Sequence, residues 1–192
     1  MRQSLATHLG ELWRLAAPVV MSRTGIMTMA VVNFAFLGRV GVDEVAYMAA
    51  AGVPLTIILV ACNGMMTGTL VAASHAYGRG DLEEAGQVWR RSLPFATIVG
   101  LIGAAICFGG EFILRVTGQD AHIAEGAARV LHILGLSLPG NALFLSTAFF
   151  LEAIKRPMPA VAVILLANLI NAGLNWVLVF GHLGAPALGA AG

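Results

Sequence analysis

Charge is scarce in these 192 residues: Asp, Glu, Lys and Arg make up 11%, where a soluble domain carries about a quarter. A water-facing surface cannot be built from so little, which excludes an ordinary soluble globular domain. The basic residues form no block and the formal net charge is +1, so the electrostatic footprint of a nucleic-acid binder is missing and no nucleic-acid partner is expected. Cysteine is limited to Cys62 and Cys107. Both lie inside apolar runs without CxxC spacing and read as small core residues, not as a redox pair or metal ligands. Carboxylates are missing from the interior of the apolar runs, because all ten Asp and Glu fall at run ends or in connections. An intramembrane enzyme needs His, Asp or Ser nucleophiles clustered at membrane depth, and their absence says that the chain is no enzyme. No metal site or organic cofactor is expected either. The ridge His122, Glu125, Arg129, His132 lacks a third convergent ligand and reads as a solvated helix end with an i,i+4 ion pair.

What fills the chain instead is apolar: 58% hydrophobic residues and a mean hydropathy of +0.85. About 20 apolar residues cross the hydrocarbon core of a bilayer, and five runs of that kind, some longer, predict an all-α polytopic transmembrane helix bundle. The expected spans are residues 12–37, 45–77, 93–108, 122–153 and 161–181, with the start of a sixth from Ala187, cut off at Gly192. The lipid bilayer is therefore the first partner. The opening run continues well past the length of a signal peptide and is expected to stay as a span.

Local signals sharpen the boundaries. Asp43 and Glu44 suit a helix N-terminus ahead of span two. Gly64 and Gly68 on that span form a small-xxx-small face suited to close helix approach. Asp81 followed by Glu84 has the form of a capping box. Leu82, Ala85, Val88 and Trp89 share one face opposite charged neighbours, which predicts a short surface helix feeding span three. The segment 109–121 reads as a loop. Pro139, Gly140 and Asn141 interrupt span four, and a proline there is tolerable where it faces a cavity or a neighbouring helix.

Polar groups at membrane depth are few and therefore informative. Val161 to Gly181 carries Asn168, Asn171 and Asn175, which fall on one helical face. Asn33 and Arg23 lie in span one. Two readings of the amides stand: hydrogen bonds that glue helices together, or the lining of a cavity where something polar binds. Arg23 either snorkels to the headgroups or presents a fixed charge to that cavity, in which case it favours anionic or zwitterionic substrates. Lys and Arg in the connections set orientation. Arg2, Arg14, Arg79, Arg90, Arg91, Lys155 and Arg156 fall on one side and Arg39, Arg115 and Arg129 on the other, so the N-terminus is expected to be cytoplasmic in a cell inner (plasma) membrane.

Several stretches together carry a resemblance: Leu15-Ala16-Ala17-Pro18 opening span one, Asn33 to Gly41 (NFAFLGRVG) closing it, the Gly78 to Asp81 turn, the charged bend after span four, NLINAGLN followed by WVLVFG, and Gly189-Ala190-Ala191-Gly192. In this order and spacing the chain resembles the amino-terminal lobe of a multidrug and toxic compound extrusion transporter over nearly its whole length. The resemblance implies a dozen spans in two six-helix lobes, a carboxy-terminal lobe missing here, and alternating-access efflux of small organic substrates coupled to Na⁺ or H⁺. It departs from the family in two respects. Asn33 stands where the family usually has an aspartate, and Asn171 and Asn175 match an asparagine and, four residues on, an aspartate. The cavity candidates are thus Asn33, Asn171 and Asn175, followed by Asn168, Arg23 and Asn141. An amide takes up no proton near neutral pH, though its oxygen can coordinate a hard cation. Two alternatives remain: a flippase or exporter of lipid-linked saccharide with the same architecture, and a non-transporting membrane fragment.

Overall fold

Asp81 shows how the sequence sets its own boundaries. Its side chain accepts the Glu84 backbone N–H at 2.8 Å, satisfying one of the donors that a helix N-terminus leaves free. Arg79 reaches across the turn to Glu84, and Gly80 supplies the left-handed φ of 81° that closes the reversal. The computed structural model describes residues 5–181 and 189–191, and every regular element among them is helical. In chain order these are α1 Leu5–Leu37, α2 Val42–Gly78, α3 Leu82–Phe108, α4 Gly110–Val116, α5 Ala121–Ala153, α6 Met158–Leu178 and a 3₁₀ turn Gly189–Ala191. Five helices are long and apolar enough to cross a membrane: α2, α3, α5, α6 and the Val19–Leu37 part of α1. The expected opening of a sixth span at Ala187 and the expected charge at Arg2 lie outside the described residues.

Three expectations need correction. The surface helix before span three is no separate element, since α3 runs unbroken from Leu82 to Phe108 with Pro94 inside it. Pro94 costs only the hydrogen bond to the Arg90 carbonyl, near the charged end of the helix where water can replace it. The segment read as a loop contains α4, whose Gly110 and Leu114 are buried; a Cβ on Gly110 would meet Leu131 Cδ1 at 2.7 Å. Gly64 and Gly68 are exposed and have no atom within 4 Å of their Cβ positions. The buried arc of α2 is Ala51, Ile58, Cys62, Met66, Thr69, Ala73 and Ala76. Each glycine follows a buried residue by two positions, about 200° round the helix, so this face points away from the lobe.

The core is built by α2, α3 and α5, with α4 laid against α5. Met66, Cys107, Leu131 and Leu138 are fully enclosed there, and both cysteines are free and buried, as small core residues should be. The closest approach uses a different glycine. A Cβ on Gly100 would overlap the Pro139 backbone, so the proline in the middle of α5 faces a neighbouring helix at a point where that neighbour has no side chain. Polar ties run along the same seam: Ser92 and Ser146 share a 2.6 Å hydrogen bond, and Trp89 Nε1 donates to Thr147 at 3.2 Å.

The remaining helices, α1 and α6, pack side by side. Gly25 lets them close, since a Cβ there would sit 2.6 Å from Ile164 Cγ2. This pair meets the three-helix core through few contacts, and the space left between the two layers holds the polar groups.

Candidate functional site: an amide cleft between two helix layers

Asn171 and Asn175 lie one turn apart on α6, so they reach the same place on the neighbouring helix. That place is Asn33 of α1. Asn175 Nδ2 donates to Asn33 Oδ1 at 2.7 Å and to Asn171 Oδ1 at 3.1 Å. The donor side chain is buried, and its amide spends both N–H groups on the other two amides. Level matching follows from direction. Gly25 of α1 faces Ile164 of α6 and Asn33 faces Asn175, so the two helices run parallel and keep the amides at one depth.

These amides line a cleft of about 140 Å³ that also touches Leu37, Met48, Val130, Ile133, Leu134 and Val179, with Gly189 and Ala190 as one wall. At about 30 Å³ per water that volume holds a few solvent molecules or a small cation with part of its shell. The lining among described residues is neutral. It can donate and accept hydrogen bonds and present amide oxygens to a cation, but it carries no group that titrates near neutral pH. No cluster of three or more His, Cys, Asp or Glu able to hold a metal occurs among the described residues.

The other candidates go elsewhere. Asn168 lies lower on the same face, beside Gly25, and its Nδ2 donates to the Ile164 carbonyl one turn back on α6 at 2.9 Å. Asn141 is exposed on α5 and takes no part in the cleft. Arg23 is exposed and lines a different, narrower cleft of about 40 Å³ among α1, α5 and α6, shared with Ser22, Phe144, Phe149, Ile164 and Glu152. It is the fifth residue of the apolar Val19–Leu37 stretch, near the end of the span, and ten residues from Asn33, which is about 15 Å along a helix. Among the described residues Arg23 and Glu152 form no ion pair.

Two features at the amide-cleft end of the bundle, away from Arg23, had no clear sequence signal. Glu44, readable only as an acid at the start of α2, accepts the Ala190 backbone N–H. Tyr47 Oη and His122 Nε2 are 2.8 Å apart, joining α2 to α5, and Gly126 makes room for the tyrosine ring, 2.5 Å from where its Cβ would stand. The charged ridge on α5 behaves as a helix end: Arg129 and Glu125 pair at 2.6 Å in an exposed position, worth little to stability.

A family model described as MatE matches residues 18–177. The chain is similar to the probable multidrug resistance protein NorM of Caulobacter vibrioides, 39% identical over 192 residues that cover 100% of this chain and 41% of the relative. It is also similar to the protein of the same name in Bradyrhizobium diazoefficiens, 30% identical over 98% of this chain and 40% of the relative. Its fold matches a MOP superfamily transporter from Pyrococcus furiosus, whose binding pocket is described as reversed in polarity. That match has a TM-score of 0.84 at 19% identity, over 94% of this chain and 40% of the other. The chain thus spans about two fifths of the length of the relatives it matches.

Proposed function

The chain belongs to the MatE family, and from that premise we propose that it is the amino-terminal lobe of a secondary active exporter of small organic compounds. It is a multi-pass membrane protein, and family members are transporters rather than enzymes. In this reading it works with a carboxy-terminal lobe by alternating access, in the inner membrane with a cytoplasmic N-terminus, and draws on a Na⁺ or H⁺ gradient. The observation that carries the proposal is the polar cleft at the boundary between the α1–α6 pair and the α2–α3–α5 core, in a chain matched end to end by proteins named for multidrug resistance. A boundary with few contacts is where two rigid groups of helices can shift against each other.

The chemistry of the cleft limits how a gradient can act there. With amides in all three positions, the lobe offers hydrogen-bonding and cation-coordinating oxygens and no mid-span carboxylate. A proton-driven cycle therefore takes its proton acceptor from outside these residues. The feature that would favour a saccharide-lipid exporter, a cation facing the amide cleft, is not met by Arg23, which lines the other cleft.

The test is accumulation of radiolabelled organic cations in everted membrane vesicles carrying this chain with a carboxy-terminal lobe, driven in turn by an imposed Na⁺ or proton gradient. Gradient-dependent uptake is expected. Scrambling of labelled lipid without uptake, or uptake by vesicles that hold residues 1–192 alone, would overturn the reading.

A further inference from the structure

Gly189 and Ala190 of the 189–191 turn form one wall of the amide cleft, and that turn is tied by a hydrogen bond to the start of α2. Ala190 N–H donates to Glu44 Oε2 at 2.5 Å, a bond spanning 146 positions of sequence. Glu44 stands in the first turn of α2, one turn before Met48, which lines the same cleft. Gly189 is buried at a left-handed φ of 57°, and a Cβ on it would overlap the Glu44 carboxylate. Two observations therefore converge. The carboxylate accepts from one residue of the turn, and the residue before it lacks a side chain where that carboxylate sits.

We propose that Glu44 is a positioning residue that holds the 189–191 turn as the wall of the amide cleft, and thereby keeps the cleft closed at the end where α1 runs into α2. An acceptor is needed because the Ala190 N–H, at the edge of an apolar layer, has few other places to go. A charged acceptor makes the bond stronger than a neutral one. The inference deepens the proposed transport role by naming what bounds its polar site, and rests on that reading for its meaning in transport. The wall itself is tested without any transport measurement.

The experiment uses the chain in membrane fragments open to both faces, with Cys62 and Cys107 replaced by alanine and a single cysteine at Val179, which lines the cleft and is buried. A small hydrophilic methanethiosulfonate is the probe. A second reporter, Ser22→Cys, lies in the other cleft. The parent is expected to react slowly at position 179. Glu44→Ala removes the acceptor and Gly189→Ala pushes the carboxylate aside, and each should raise the rate at 179 several-fold while leaving position 22 unchanged. Glu44→Gln keeps an oxygen for the Ala190 N–H and should stay near the parent. An unchanged rate at 179 in Glu44→Ala, a fast rate in Glu44→Gln, or equal rises at both reporters would overturn the proposal. The last would mean a loosened fold in place of an opened wall. Loss of transport with the wall intact would instead count against the transport reading alone.

Discussion

Asn175 is the hub of its cluster, because it donates to both other amides while neither of those donates to the other in the observed bonds. The three positions are therefore unequal. Replacing Asn175 with leucine strands two acceptors, and a buried polar group left unpaired costs about 1–3 kcal/mol; Asn33→Leu strands at most one donor direction and leaves the Asn175–Asn171 bond in place. Thermal midpoints of the purified variants are expected to fall in the order Asn175→Leu more than Asn33→Leu. A double-mutant cycle between 33 and 175 should show coupling, and additive effects would mean that the 2.7 Å contact contributes nothing to stability. Much of this cluster could be read from spacing and from the family likeness: 171 and 175 are four apart, and Asn33 stands at the matching position of span one. What spacing could not give was the level of each amide on the facing helix. Asn168 shares the stripe, but it lies opposite Gly25 and turns back on its own backbone.

Among the helices, the sequence showed where apolar runs are and left their rotation open. Gly64 and Gly68 have the right spacing for close packing, yet the buried arc of α2 is set by what α3 and α5 present to it, and the pair ends up facing outward. Gly100, with Ala96 and Ala104 four residues to either side, belongs to a small-residue row of the same spacing, and this one is buried and takes the Pro139 backbone against it. The two sites give a direct contrast. Gly100→Val forces a branched side chain into the backbone of a neighbouring helix, and overpacking of this kind costs about 1–3 kcal/mol or more; Gly64→Val meets open space and should be close to neutral. Melting curves of the two variants in one detergent check this, and equal destabilisation would show that the α3–α5 seam can relax by moving apart. The hidden α4 and the unbroken α3 have the same origin. A seven-residue helix is too short for periodicity to reveal, and an interfacial Pro94 looks like a boundary until the tertiary packing carries the helix through it.

At the scale of the whole lobe, the helices place the connections alternately at two ends. The turns around Arg79 and Lys155 fall at one, the turns around Arg39 and Gln119 at the other. Exposed basic residues are more numerous at the first end, with Arg79, Arg90, Arg91, Lys155 and Arg156, and short connections rich in Lys and Arg stay in the cytoplasm. At the second end Arg115 is paired with Glu111 and Arg129 with Glu125, although the retention rule counts the bases whether or not they are paired. The inference is that the end holding the α2–α3 and α5–α6 turns is cytoplasmic, so Glu83 faces the cytoplasm and Gln119 the outside. Both side chains are exposed, neither is a basic residue whose loss would disturb the signal, and the two native cysteines are buried and should give little background. Single cysteines at these positions, labelled with a membrane-impermeant maleimide, are expected to divide cleanly. Gln119→Cys should react on intact cells, and Glu83→Cys only after permeabilisation. The reverse pattern would invert the lobe in the membrane and place the amide cleft, which lies toward the second end, nearer to the cytoplasm.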